Sequence, residues 1–310
     1  MPESILVTGS SGMIGTALSR RLLQDGYQVV GADSEENTWS EAVNERTRRI
    51  DLRDDSQFDD LPTDVDLIVH LAANSRVLES VNQPTMAKEN LVTTFNVLDY
   101  AREVDAGCVF GSSREVYGSG GELHYEEDDV ELDQCENPYA ASKIGGEALM
   151  RSFEACYDVE TALLRFSNVY GRYDVSNRVI PIFIAQAIAD EDLTIFGAQK
   201  VLDFTYLDDC VDGIVRTVES FEKAAGTAFN IASGRGYSLV ELAEAIVDHI
   251  DCDSEIRIES NRSGEVSRFV GDISLARAGL DYDPAYSFEE GLAETIDWYR
   301  DHPSILGEIH

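Results

Sequence analysis

A phenol and an amine stand four residues apart in Asn137-Pro138-Tyr139-Ala140-Ala141-Ser142-Lys143. On a helix that spacing puts both on one face, and a cation one turn away favours the phenolate that would make tyrosine a proton acceptor. Helix is the expected state. Pro138 suits the first turn, where its missing N–H costs nothing, and Ala140, Ala141, Ile144, Ala148 and Leu149 continue a helical run. Many helices carry such a pair by chance, so its meaning depends on what the rest of the chain places beside it.

A second stretch with chemical meaning is Gly9-Ser10-Ser11-Gly12-Met13-Ile14-Gly15, three glycines spaced by two residues. It follows Ile5-Leu6-Val7-Thr8, which reads as a buried parallel strand, and precedes a helical pattern of Ile14, Ala17, Leu18 and Leu22 stopped by Gly26. Such glycines let the backbone turn tightly and approach a pyrophosphate, while free N–H groups and the helix dipole hold the anion. The next strand, Gln28 to Ala32, ends at Asp33, 24 residues after Gly9. A carboxylate there accepts hydrogen bonds from an adenosine ribose and repels a 2′-phosphate, which favours NAD over NADP. Asp33 has a plainer reading as one more surface acid, but the glycine loop outweighs it.

The elements that must position these residues follow in order. Arg49-Ile50-Asp51-Leu52 is expected as a third strand edge, with Asp51 and Leu52 bracketing an adenine. Asp66 to Ala73 is an apolar strand whose small terminal residues permit close approach of a cofactor. His70 within it is expected to be packed, since no metal-ligand spacing surrounds it. Asn90 to Arg102 is an amphipathic helix through Leu91, Phe95, Leu98 and Ala101. Val109 to Ser113 is a strand ending in hydroxyls, and Thr161 to Phe166 another. Strands alternating with helices predict an α/β fold, a Rossmann-type doubly wound parallel sheet, whose ligands lie beyond the carboxyl ends of the strands. Ser113 falls at such an end. The acid-rich stretch between Gly118 and Asn137 is expected to be a solvated loop.

Composition narrows the function further. Asp and Glu number 59 against 24 Lys and Arg, a net charge of −35, and only four of the basic residues are lysine (Lys88, Lys143, Lys200, Lys223). That surface suits high salt, as in halophiles, because near 1 M salt the screening length falls to about 3 Å. It argues against nucleic acid and anionic membranes as partners. Cys108, Cys135, Cys156, Cys210 and Cys252 are scattered without a C-x-x-C pair, so neither a zinc site nor a disulfide framework is suggested. Met1-Pro2-Glu3-Ser4 lacks the features of a signal peptide, and no apolar run approaches membrane-spanning length, so a cytoplasmic protein is expected.

With Gly9, Gly12 and Gly15, then His70-Leu71-Ala72-Ala73, then Ser112-Ser113 to Val116-Tyr117-Gly118, then Tyr139-x-x-x-Lys143, the chain resembles an extended short-chain dehydrogenase/reductase. More narrowly it resembles the NAD-dependent epimerase/dehydratase family acting on nucleotide sugars, nearly end to end. Arg165 to Gly171, Asp203 to Asp209, Phe229 to Ala232, Arg262 to Glu265 and Asp272 to Leu280 are similar to the family's later motifs. The resemblance implies an NAD-binding Rossmann domain over 1–170, to which 203–232 returns, and a smaller C-terminal domain over 171–310 that mainly binds the sugar nucleotide. It implies that Tyr139 is the general base, Ser113 holds the reacting oxygen and Lys143 supports the phenolate. Gly9, Gly12, Met13, Ile14, Gly15, Asp33, Asp51, Leu52, Leu71, Ala72, Ala73 and Asn90 would hold NAD together with Tyr139 and Lys143. Ser113, Arg114, Glu115, Asn168, Arg178, Lys200 and Arg262 would meet the substrate, with Arg172 a weaker candidate. The family's usual assembly is a homodimer through the helices near Asn90–Arg102 and Pro138–Tyr157.

Two departures from the family pattern bear on the reaction. Leu202 stands where many relatives carry an arginine that meets the nucleotide phosphates, which leaves Lys200 as a substitute. After the hydroxyl, 4,6-dehydratases resemble Thr-Asp-Glu and uronate decarboxylases Thr-Ser-Glu, whereas this chain has Ser113-Arg114-Glu115. Arg114 cannot be the acid that expels a hydroxyl. The leading expectation is therefore a UDP-hexose 4-epimerase, followed by a UDP-uronate decarboxylase, a net reductase of the same fold, and a non-catalytic NAD-binding protein.

Overall fold

A computed structural model describes residues 2–118, 124–128, 130–259, 268–307 and 309. Among them the strands are β1 (Ser4–Thr8), β2 (Gln28–Asp33), β3 (Thr47–Arg49), β4 (Leu67–His70), β5 (Gly107–Ser113), β6 (His124–Tyr125), β7 (Thr161–Phe166), β8 (Asn168–Tyr170), β9 (Leu193–Phe196), β10 (Val201–Tyr206), β11 (Ala228–Ile231), β12 (Gly236–Ser238), β13 (Ile256–Glu259) and β14 (Arg268–Gly271). Seven of them form one parallel sheet in the order β3-β2-β1-β4-β5-β7-β11. The order reverses direction between β1 and β4, and the crevice at that switch point is where ligands of such sheets bind.

The sheet's strands are apolar on both faces because helices cover both. Ile5 and Val7 of β1, Leu67 and Val69 of β4, and Leu164 of β7 point to one side, where they meet Leu18 and Leu22 of the helix Met13–Gln24 and Ile214 and Val218 of the helix Leu207–Glu219. Leu6, Ile68, Phe110 and Leu163 point to the other side. There they pack on Val97 and Leu98 of the helix Thr85–Val104 and Met150 and Phe153 of the helix Pro138–Tyr157. Each fully buried aliphatic side chain contributes roughly 1.5–3 kcal/mol. Gly146 lets the Pro138–Tyr157 helix settle deep against β5, since a Cβ there would lie 2.5 Å from the Phe110 ring. The closeness of Tyr139 and Lys143 to the end of β5 follows from that contact.

A second core of Ile180, Phe183, Ile184, Leu242, Ile246, Leu292, Ile296 and Tyr299 organises the remainder. Its helices are Val179–Ile188, Leu239–Ile250 and Phe288–Asp301, the last two opened by capping boxes at Ser238/Glu241 and Ser287/Glu290. Its strands are β12-β10-β14-β6 with β8 on β10, and the pair β13-β9. Buried Asp203 of β10 ties these pieces together, accepting from Ser233 N (2.8 Å), Ser233 Oγ (2.7 Å), Gly234 N (2.9 Å) and Gly271 N (3.3 Å). The helices Thr85–Val104, Pro138–Tyr157, Leu239–Ile250 and Ser274–Leu280 each end on an aspartate in the left-handed region: Asp105, Asp158, Asp251 and Asp281.

Three local expectations are corrected. The third strand is Thr47–Arg49, and Ile50 makes only a last backbone bond to Asp33 before Ile50 and Leu52 turn into the core. The helix expected from Asn90 starts at Thr85, because its first turns are polar and invisible to an apolar count. Asp203 to Tyr206 lies in the smaller sheet, and the chain rejoins the large one through the helix Leu207–Glu219 and β11. No described helix is long and apolar enough to cross a membrane.

Candidate active site

At the switch point the glycine loop leaves β1. Gly9 has φ +71°, and a Cβ there would meet Ala72 N at 2.8 Å. One at Gly15 would meet Gly9 O at 2.0 Å, so both glycines are dictated by close backbone approach. Gly12 begins the helix Met13–Gln24 with no side chain capping it, which leaves the first N–H groups of that helix turned to the cleft. An open helix start behind a tight glycine cradle fits a dinucleotide pyrophosphate. Asp33, at the carboxyl end of β2, accepts from Ser11 N and Glu35 N, both at 2.9 Å, so the loop and the carboxylate are held together. Burial raises its pKa, against the lowering effect of those N–H groups. Asp51 is clamped by Arg53 at 2.7 Å, and Leu52 is buried beside it.

Beyond β4, Thr8 Oγ1 accepts from the N–H groups of Leu71 and Ala72, and Asn90 Oδ1 accepts from Asn74 N at 2.8 Å. Asn90 Nδ2 also donates to Ser142 Oγ at 3.1 Å, linking this edge to the Tyr139 helix. His70 is packed, as expected. It bonds Thr8 and Thr94, and burial, with Lys143 nearby, pushes its pKa down to about 3, so it is neutral.

The start of the Tyr139 helix is fixed by Asn137, whose side chain accepts from Ala140 N and donates to Glu115 Oε2 at 3.1 Å. Tyr139 and Ser113 stand beside each other in the cleft wall, both buried. Burial raises the Tyr139 pKa; the Ser113 hydroxyl and the charges of Arg178 and Arg114 oppose that rise, while Glu115 adds to it. Lys143 donates to Gly111 O at 2.7 Å, with its Nζ 5.8 Å from the Tyr139 ring centre. Burial pushes its pKa down to about 8, against the pull of Glu147. The three side chains thus form a buried hydroxyl, phenol and ammonium at the carboxyl edge of β5.

Arg114 and Glu115 pair at 3.0 Å, both largely buried, and Arg114 Nε donates to Asn168 Oδ1 at 3.1 Å. Arg114 Nη1 is buried with no hydrogen-bond partner among the described residues. Arg178 reaches Ser75 Oγ at 3.2 Å from the opposite wall. Lys200 is buried, and Leu202 occupies the position of the missing arginine.

One cleft of about 1290 Å³ is lined by every site residue named from the sequence except Arg172 and Arg262. Arg172 is turned away and committed to Asp208 at 2.6 Å. Arg262 lies outside the described residues. Sequence reasoning missed Asn74, Ser75, Asp174, Gln186, Thr194 and Phe196, which also line the cleft. They come from loops, from the helix Val179–Ile188 (Gln186) and from β9 (Thr194 and Phe196), where no spacing rule announces them.

Residues 5–232 match the NAD dependent epimerase/dehydratase family. The chain is 30% identical to the low-salt glycan biosynthesis protein Agl12 of Haloferax volcanii, over 95% of this chain and 98% of that protein. It superposes on the crystal structure of UDP-glucose 4-epimerase from Thermotoga maritima with UDP-glucose at a TM-score of 0.89 and 27% identity, covering 97% and 99% of the two chains. The dTDP-glucose 4,6-dehydratase DesIV of Streptomyces venezuelae, solved with NAD, superposes at 0.88 and 29% identity, covering 97% and 98%.

Proposed function

The chain belongs to the NAD-dependent epimerase/dehydratase family and uses NAD, and from that membership we propose that it is a nucleotide-sugar 4-epimerase acting on a UDP-hexose. The observation that carries this reading is the state of the Arg114–Glu115 pair beside an intact Ser113, Tyr139 and Lys143. An elimination needs a carboxyl group free to give and take protons. Here position 114 is a guanidinium, and both oxygens of Glu115 are engaged, one by Arg114 and one by Asn137. Oxidation and re-reduction at one carbon need only the hydroxyl, the phenol and the ammonium.

When bound, NAD supplies a reversible hydride acceptor and a positive charge near the phenol. Ser113 Oγ holds the reacting sugar oxygen, and Tyr139 Oη removes its proton. Tyr139 is an uncharged phenol in the resting protein because burial disfavours phenolate, so it must first release its own proton to solvent and then accept the sugar's proton as phenolate. Lys143, mostly protonated at neutral pH with a pKa of about 8, lowers the cost of making the phenolate. After the keto sugar presents its other face, the same phenol returns the proton. The glycine loop would hold the pyrophosphate, Asp33 the adenosine ribose, and Lys143 the nicotinamide ribose. Asn168, Arg178 and Lys200 would hold the substrate diphosphate. The division into a cofactor domain (1–170, rejoined within 203–232 by the helix Leu207–Glu219 and β11) and a substrate domain (171–310) belongs to the same reading.

One observation favours an acidic sugar as a second reading: Arg114, whose Nη1 has no partner among the described residues, stands next to Ser113 and would attract a uronate carboxylate. The deciding experiment incubates the protein in molar KCl, without added NAD, with UDP-glucose, UDP-N-acetylglucosamine and UDP-glucuronate, and follows the products by NMR. A C4 epimer supports the proposal, and the sugar that yields it chooses between the readings. A 4-keto-6-deoxy product, a pentose with released carbon dioxide, or no product from any sugar overturns it. A cytoplasmic, salt-adapted homodimer completes the proposal. Half-exposed Phe95 and Tyr157 on the two adjacent helices support such a contact.

A further inference from the structure

One turn beyond Lys143, the same helix buries Glu147. Glu147 Oε1 accepts from Ser112 Oγ at 2.6 Å and from Arg165 Nε at 2.9 Å, and Oε2 accepts from Arg165 Nη2 at 2.7 Å. Arg165, on β7, also donates from Nη1 to Tyr117 Oη (3.1 Å) and Glu127 O (2.6 Å), and Tyr117 donates on to Asn230 of β11 at 2.6 Å. The carboxylate is therefore held on three sides, and Ser112 is the neighbour of Ser113. A buried ion pair of this kind adds little net stability over apolar side chains of the same size. Its cost is understandable if the charge is needed where it stands.

Lys143 is buried against the Phe110 ring, with Nζ 4.8 Å from the ring centre, and its ammonium bonds a backbone carbonyl. The titratable groups around it are Tyr139 and Glu147 on its own helix, neutral His70 on β4, and Arg165 on β7 behind Glu147. Of these, Glu147 carries the negative charge. We propose that Glu147, clamped by Arg165 and by Ser112 next to Ser113, is a positioning residue that pins the helix of Tyr139 and Lys143 against the end of β5 and sets a fixed negative charge one turn from the Lys143 ammonium. The link to turnover rests on the epimerase reading; the effect on Lys143 does not.

The chain has only four lysines, so lysine labelled with 15N at Nζ can be titrated by NMR, with Lys143→Arg assigning the signal. The wild-type midpoint is expected near 8. In Glu147→Gln/Arg165→Met, which removes both buried charges together, the midpoint falls by on the order of one pH unit. At pH 8 the cationic fraction then drops about fivefold, and the alkaline limb of kcat moves down by the same interval with KM little changed. Glu147→Asp keeps the charge but shortens the reach, so its midpoint stays near 8 while kcat falls at all pH values. The inference is overturned if the folded double variant titrates like wild type, or if Glu147→Asp shifts the midpoint as far as the double variant does. A shifted midpoint with an unmoved kcat limb removes Glu147 from the reaction. Absence of turnover in the wild type would refute the epimerase reading alone, because the Lys143 titration is read without it.

Discussion

Gly12→Ala separates cofactor binding from folding. Gly12 has φ −73° and ψ 171°, a conformation alanine adopts freely, and an added Cβ would meet only Gly9 O, at 3.3 Å. The folded chain therefore loses at most about 1 kcal/mol, the usual scale of a changed N-cap. The methyl nevertheless projects at the open start of the helix, where an anion must touch backbone N–H groups. Loss of one charge-assisted hydrogen bond costs about 1.5–3 kcal/mol, or roughly a 10- to 150-fold weaker Kd for NAD. Gly15→Ala is the contrast: its Cβ would lie 2.0 Å from Gly9 O and 2.9 Å from Ser10 Cα, both backbone atoms that cannot step aside. It is expected to destabilise the fold itself by about 2–3 kcal/mol or more. Calorimetric titration of NAD into cofactor-free protein, paired with thermal melts in molar KCl, reads both effects. A folded Gly12→Ala protein that binds NAD within twofold of wild type would refute the placement of the pyrophosphate.

Tyr139→Phe removes the proton acceptor but leaves the ring's packing; turnover should fall by at least about 10²-fold with a melting temperature near wild type, and near-normal activity would end the assignment. Burial raises the Asp209 carboxyl to about 6, against bonds from Ala285 N and Tyr286 N. A raised carboxyl stabilises the fold below its unfolded pKa near 3.8, and that stability is lost as pH rises through about 6. Asp209→Asn should accordingly raise the melting temperature more at pH 7.5 than at pH 4, and an equal change at both would contradict this. With a net charge of −35, transfer from molar KCl to dilute buffer should cost structure and activity together; equal near-ultraviolet circular dichroism and equal rates in both would exclude salt dependence.

How much was legible in the sequence depends on the range of the interaction. The glycine loop, β1, and the helix bearing Tyr139 and Lys143 follow from local rules, and the structure places them at one cleft with Ser113. Glu147 escaped notice because its partner Arg165 lies 18 residues on and Ser112 lies 35 residues back, and no spacing rule joins them. Arg172 looked available to a phosphate until folding brought Asp208 to it. Arg178 reaches Ser75 across 103 residues. The smaller sheet was the least readable part. Strands as short as β8 and β12 carry three residues each, too few to show a period, and their register on β10, Phe204 beside Asn168 and Asp203 beside Gly236, is set by partners 36 and 33 residues away.

The aspartates that end four helices have a consequence for how the molecule comes apart. Glycine is the residue that turns left-handed at a helix end without strain, and a carboxylate there also faces the negative pole of the helix, at a cost of roughly 0.3–1 kcal/mol when unscreened. Asp105, Asp158, Asp251 and Asp281 each carry that penalty, and its size is set by the ions around them. As salt is withdrawn, the tails of these helices become the first places to exchange their amide hydrogens, while the parallel sheet stays protected. Unravelling on dilution would thus start at the rim and move inward, and it would reach the tail of the Tyr139 helix before it reached Tyr139.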